Sequence, residues 1–333
     1  MDSFVDKRTR NACLGLIALF VLSLPFLFGT YLVFVFTVIC VYAIVAMGMN
    51  ILSGYTGMLS LGHQAFFGIG AYAAAILSTR YPGFPFPVVL LVGGSISAVM
   101  GYLLGFSALR TSGVYLAIAT IAFGMIMAEV FGEWASLTGG QVGLVVPPPA
   151  IGPLRFESAT AIYYLTLAVA AVMFFLGINL ISSNTGRAFI AIRENEISAQ
   201  SFGISLVKYK TLSFAISAFY VGVAGGIYAY LLKYVAPIDF RLLVGIEFVI
   251  IVIVGGLGTI LGSILGAILL FALPQLFAGL VDWQEFVTGL VLLLVILFFP
   301  EGLSGGFYRL MDWVRDGLAS RRGPDAAPPR SHA

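Results

Sequence analysis

Apolar runs of about twenty residues dominate the chain, and short polar stretches separate them. Runs near 12–29, 31–52, 57–79, 87–109, 114–132, 160–181, 209–232 and 283–300 are continuous rather than two- or three-fold periodic. Each is long enough to cross a hydrocarbon core of about 30 Å as a helix. The stretch from Val244 to Ala278 is interrupted by Gly255-Gly256-Leu257-Gly258-Thr259. It reads either as a short span plus a full one or as a re-entrant pair of half-helices. Two longer polar loops cover residues 133–159 and 182–208. The pattern predicts an all-α, polytopic transmembrane helical bundle of about 8–10 spans with broken or re-entrant segments.

Composition agrees. Hydrophobic residues make up 60% of the chain and charged ones 10%, with a mean hydropathy of +1.04. A soluble domain carries roughly a quarter of its residues as charged groups, so most of this exterior has to face lipid. Lys7, Arg8 and Arg10 precede the apolar run Ala12–Phe28, but no small-residue cleavage site follows, and the run is expected to be a retained first span. With the N-terminus inside, 13 of the 17 basic residues fall in cytoplasmic segments, as the positive-inside rule requires. Arg80, Arg155, Lys233 and Arg241 stay on the other side. Both termini are then cytoplasmic and the number of crossings is even. The expected organisation is a transmembrane domain over 1–300 and a cytoplasmic tail over 301–333. In that tail Phe307, Leu310, Met311, Val314 and Leu318 form one apolar stripe. The Pro-rich end after Gly323 is expected to be disordered.

Candidate chemistry is sparse. Cys13 and Cys40 lie in apolar runs, and His63 and His332 are the only histidines; no metal site is expected. There is no Walker A pattern, no G-x-S-x-G and no H-E-x-x-H, so no catalytic residues are assigned and the chain is not read as an enzyme. The net charge of +2 is spread over short loops, which gives no nucleic-acid surface.

Two segments concentrate polar groups. Asn50–Gln64 reads NILSGYTGMLSLGHQ, between and inside apolar runs. A loosened backbone survives at membrane depth only when buried in protein or lining an aqueous cavity. Free N–H groups of half-helix ends suit a carboxylate, and free carbonyls suit an ammonium. On this ground Asn50, Ser53, Gly54, Tyr55, Thr56, Ser60, His63 and Gln64 are candidate translocation-pathway residues. The competing reading is close helix packing at Gly54, Gly57 and Gly62, with His63 hydrogen-bonded to a neighbouring carbonyl. Glu247 is the one carboxylate flanked by apolar runs; it is expected at an interface near Arg241, and lining the path or pairing with a basic group are its other readings. The second segment, 185–204, repeats Ile190, Ile197 and Ile204 every seven residues and carries Arg187, Arg193, Glu194 and Glu196. Short amphipathic helices broken at Gly203 are expected there, with an apolar anchor and charged rim for a protein partner. Finally, Leu59, Ser60, Ala65, Phe66 and Phe67 reappear 153 residues later as Leu212, Ser213, Ala218, Phe219 and Tyr220, a faint internal repeat.

Asn50–Tyr72, NILSGYTGMLSLGHQAFFGIGAY, resembles the signature of ABC permeases for branched-chain amino acids of the LivM type. GVYLAIATIAF (113–123), SLTGGQVGL (136–144), residues 193–217 and VGGLGTILGSILGA (254–267) extend the resemblance over nearly the whole chain apart from the tail. It implies an inner-membrane importer subunit paired with a second homologous permease, two cytoplasmic ATPases that hold ATP and Mg, and a periplasmic amino-acid-binding protein. It implies no cofactor on this chain. The 182–208 loop matches the cytoplasmic coupling segment, with Arg187, Arg193, Glu194, Glu196 and Gly203 as its ATPase-coupling residues. Where the general importer pattern has E-A-A, this chain has Ile197, Ser198 and Ala199. Thr138, Gly139 and Gly140 are the expected docking residues for the binding protein. The alternatives are a urea, amide or sugar permease of the same class, and a stand-alone channel or secondary transporter.

Overall fold

The computed structural model describes residues 19–81, 83–107, 113–152, 154–276, 284–299, 302–307 and 309. The chain is helical over 19–27 (α1), then over Thr30–Met49 (α2), His63–Arg80 (α3), Phe86–Ser107 (α4), Val114–Glu133 (α5), Ala135–Thr138 (α6) and Ala159–Ser182 (α7). It continues through Asn184–Glu194 (α8), Glu196–Ser201 (α9), Leu206–Leu232 (α10), Leu242–Gly255 (α11), Ile260–Leu276 (α12), Gln284–Phe298 (α13) and 302–307 (α14). Among the described residues five segments are long and apolar enough to cross a membrane: α2 with its extension to Tyr55, α4, α5, α7 and α10.

Close approach at small residues holds the bundle together, because lipid offers no hydrophobic reward for associating apolar helices. In α4, Gly94, Gly101 and Gly105 face Phe219 and Val223, Ala218, and Phe214 of α10. A side chain on any of the three would press into α10. At the α3–α10 crossing, Gly70 meets the backbone of Gly222, and Gly225 meets that of Phe67. Aromatic rings fill the space beyond. Phe67 touches the rings of Tyr42, Tyr228, Phe240 and Phe248.

Helices α3 and α10 run parallel. His63 meets Ser217 near one end and Ser78 meets Tyr230 near the other, pairs separated by 154 and 152 positions. Those separations match the 153-residue echo in the sequence, so the two echoing segments pack against each other in register.

Within the stretch 244–278, the described residues to 276 form a hairpin. Gly255 packs on Gly262 and Gly266 on Ile251, and Gly256 (φ 121) and Gly258 (φ 76) form the turn in backbone conformations that favour glycine. Residues 237–240 form a 3₁₀ turn with Pro237 and Phe240 buried. This turn dips into the bundle, which is why α11 needs only 14 residues. The turn 256–259 lies at the end that holds α8 and α9, termed the inner end. Ser304 Oγ is 2.8 Å from Thr259 Oγ1, which brings the start of the tail to that same end. The rest of the apolar stripe expected in the tail lies outside the described residues.

The outer loops carry strands that the apolar pattern did not announce. Leu144–Val145 (β1) pairs antiparallel with Tyr234–Val235 (β4), and Ala150–Ile151 (β2) pairs with Leu154–Arg155 (β3). The β1–β4 pair clips the 133–159 loop to the end of α10.

Candidate functional site

The segment between α2 and α3 is broken in a specific way. After Met49 the helix widens into a π-helical turn, Asn50–Tyr55, and the chain then runs non-helically to Gly62 before α3 begins at His63. The apolar run 57–79 therefore starts as irregular backbone rather than helix. A π turn costs hydrogen-bond geometry and tends to persist where function needs it.

Side chains repair that backbone. Asn50 is fully buried. Its Oδ1 accepts from Gly258 N at 2.7 Å, and its Nδ2 donates to Thr259 O at 2.7 Å and to Ser263 Oγ at 3.1 Å. One amide thus ties the π turn to the α11–α12 turn. Ser53 donates to Met58 O and Thr56 to Ile51 O, both at 3.0 Å. Gly54 lies against Asn50 and Gly258, with no room for a side chain, and Tyr55 is buried. Ser60 Oγ stands 2.8 Å from His63 Nδ1, and His63 Nε2 stands 2.8 Å from Ser217 Oγ. The histidine bonds to two hydroxyls, not to the carbonyl the sequence suggested. Buried polar groups in a bilayer are costly unless paired in this way.

Gln64 differs. It is fully buried, yet neither atom of its amide has a hydrogen-bond partner. Gly124 of α5 faces its nitrogen and Gly245 of α11 faces its oxygen. Of the eight pathway candidates, only Ser53 lines a described cavity, one of about 200 Å³ shared with Met49, Gly57, Leu59 and α11. The others, Gln64 apart, form a closed, internally bonded joint.

The second polar segment sits directly below. Ser183 caps α8 by accepting from Thr185 N and Gly186 N, Asn195 caps α9 by accepting from Ser198 N, and Ser205 caps α10 by accepting from Lys208 N. Gly203 (φ 81) ends α9, with open space around it. Two of the charged residues turn back to the bundle. Arg193 Nη1 donates to Gly54 O at 2.6 Å, and Glu196 pairs with Lys210 Nζ at 2.6 Å. Arg187 bonds to Asn184, and Glu194 is exposed. Ile197 and Phe202 are 78% and 87% exposed, and they stand free for a partner. Sequence reasoning placed Arg193 and Gly54 in separate sites; only folding brings them together.

At the outer end, Thr138 is buried and donates to Phe131 O at 2.7 Å and to Trp134 O at 2.8 Å. Gly139 and Gly140 have φ of 77 and 61. These three residues shape the loop from within. The surface there is made by Trp134, Val142 and Val145, all exposed.

Residues 31–299 match the model of the family described as branched-chain amino acid transport system, permease component. The chain belongs to this permease family. It is 31% identical to the high-affinity branched-chain amino acid transport system permease protein LivM of Salmonella typhimurium and 32% identical to LivM of Escherichia coli. In both cases 90% of this chain and 76% of the relative are covered. The autoinducer 2 import system permease protein LsrC of an Enterobacter strain is 24% identical, with 89% of this chain and 88% of the relative covered. No solved structure matches the permease significantly. Membership makes this the permease component of a transport system, in keeping with its five helices long and apolar enough to cross a membrane among the described residues.

Proposed function

We propose that this permease conducts branched-chain, hydrophobic amino acids inward as one of two homologous permeases, driven by two ATPases on the cytoplasmic side. A periplasmic binding protein delivers the cargo to the outer face. The inner end is the cytoplasmic one, since Arg187, Arg193, Lys208, Lys210 and Arg309 gather there, as the positive-inside rule asks. The observation that carries the reading is the Arg193–Gly54 hydrogen bond. It joins the surface that would rest on an ATPase to the broken turn between α2 and α3.

In this mechanism the ATPases take hold of α8 and α9 through Ile197 and Phe202. Nucleotide shifts the bundle only by binding one arrangement more tightly than the other. As α8 moves, Arg193 draws the Gly54 carbonyl with it, and Asn50 passes the displacement to the 256–259 turn. The joint at 50–64 then opens between outward- and inward-facing states. At the outer face Trp134, Val142 and Val145 receive the binding protein, on a loop that Thr138, Gly139 and Gly140 hold in shape. The leucine-type cargo rests on the higher identity to LivM than to LsrC.

The test is uptake of radiolabelled leucine into proteoliposomes holding the permease with its partner permease and ATPases. Uptake is expected only with both ATP and the binding protein. Uptake by this chain alone would refute the ATP-driven reading. ATP-dependent uptake of urea without leucine would change the cargo.

A further inference from the structure

Glu247 lies where a carboxylate has no ordinary place. The sequence suggested an interface near Arg241, but packing puts it deeper. Gly245 rests on Gln64, and Gln64 rests on Gly124, the eleventh residue of the 20-residue span α5. Glu247 is therefore about 3 Å further along α11 than the mid-depth of α5, at the rise of a helix. Its side chain is exposed at the surface of this chain. Around it α11 is apolar, and Leu243, Ile246, Ile253 and Leu257 are exposed as well. A carboxylate on two methylenes at that depth cannot reach the headgroups, roughly 12 Å away when half the hydrocarbon thickness is about 15 Å. Among the described residues no cation or hydrogen-bond donor pairs with it. An ionisable group in that position marks a water-filled path or a polar partner rather than lipid.

A second observation points to the path. Between α2, α10 and α12 lies a cavity of about 250 Å³ lined by Phe34, Tyr42, Tyr228, Phe271 and Gln275 among others. Phe248, the residue after Glu247, packs edge-on against the Tyr42 ring that lines this cavity. Aromatic walls beside a helix that carries a carboxylate suit a small apolar molecule with one positive charge.

We infer that Glu247 lines the aqueous translocation path and receives the ammonium group of an amino-acid cargo. This rests on the amino-acid import reading above and adds the residue that recognises the cargo's positive end. The carboxylate would hold the ammonium while the cargo's side chain lies against apolar surface. A single contact of this kind passes cargo on without retaining it, as conduction demands.

The experiment uses the whole transporter, with partner permease, ATPases and binding protein, in proteoliposomes. Glu247→Gln should lower ATP-driven leucine uptake at least tenfold while ATP hydrolysis stimulated by the binding protein persists, and Glu247→Asp should keep at least a third of wild-type uptake. In a background with Cys13 and Cys40 replaced by alanine, Glu247→Cys should react with a cationic, water-soluble methanethiosulfonate. Phe175→Cys, on the exposed apolar face of α7, should not. Uptake by Glu247→Gln within twofold of wild type would overturn the inference. So would an E247C thiol as inert as that of F175C, which would mean that lipid or a partner chain covers the site. If wild-type assemblies fail to import leucine, the import reading itself falls, and the thiol reaction still decides whether residue 247 meets water.

Discussion

Arg193 Nη1 lies 2.6 Å from the carbonyl oxygen of Gly54, so one hydrogen bond connects the exposed helix pair α8–α9 to the only π turn among the described residues. The same guanidinium lies beside Gly258, and the aliphatic stem of Arg193 lies beside Gly57. Removing the charged donor should cost about 1.5–3 kcal/mol of linkage. Arg193→Ala is expected to leave ATP hydrolysis largely intact and reduce leucine uptake by about tenfold or more. Arg193→Lys should recover only part, because an ammonium lacks the planar fork. Parallel assays of hydrolysis and transport check this, and equal loss of both would remove Arg193 from the linkage.

Asn50 supplies two hydrogen bonds to the α11–α12 turn and a third to Ser263 of α12. Asn50→Leu leaves the part-buried Gly258 N–H and Thr259 carbonyl without this partner and should destabilise the fold by about 1–3 kcal/mol. Thermal unfolding in detergent should show a lowered midpoint. An unchanged midpoint would mean that the turn is held by other contacts.

Gly70 and Gly222 meet backbone to backbone at the α3–α10 crossing. Gly70→Val is expected to push the helices apart and sharply reduce the yield of folded permease in the membrane. Gly29→Ala, where nothing lies within 4 Å, should be neutral. Comparable yields for both variants would contradict the packing described.

Gly203 has room for a side chain but a left-handed backbone. Gly203→Ala should therefore cost about 1–2 kcal/mol in local conformation and weaken coupled uptake by displacing Phe202, without preventing insertion. Gly203→Asn should be milder, since Asn tolerates that region better. A reversed order in uptake assays would show that the conformation of this turn is not what matters.

The outer loop offers a division of labour to test. Trp134→Ala and Val142→Asp change exposed residues and should reduce stimulation by the binding protein while thermal stability holds. Thr138→Val removes the two bonds to Phe131 O and Trp134 O and should lower stability by about 1–3 kcal/mol. Undiminished stimulation in the first two variants would place docking elsewhere.

Much of this was legible in the sequence because the bilayer is a demanding solvent. Lipid satisfies no backbone group, so any spanning run must be helix, and runs such as 160–181 and 209–232 could form nothing else. The glycine and polar density at 50–64 likewise announced irregular backbone, and Gly203 the end of a short helix. Tertiary structure alone decided how these breaks are satisfied. That Asn50 reaches Gly258, that Arg193 reaches Gly54 and that His63 lies between two serines depends on helices brought together from some 140 to 210 positions apart. It also decided depth. Hydropathy sees Glu247 as one charge near the start of an apolar run, whereas the dip of residues 237–240 carries that run inward and leaves the carboxylate at the level of mid-span Gly124. Local composition fixes which segments enter lipid, because each residue is solvated on its own account. Which polar atoms find each other, and how deep a charge comes to rest, depends on the whole bundle closing, and no single stretch of chain contains that.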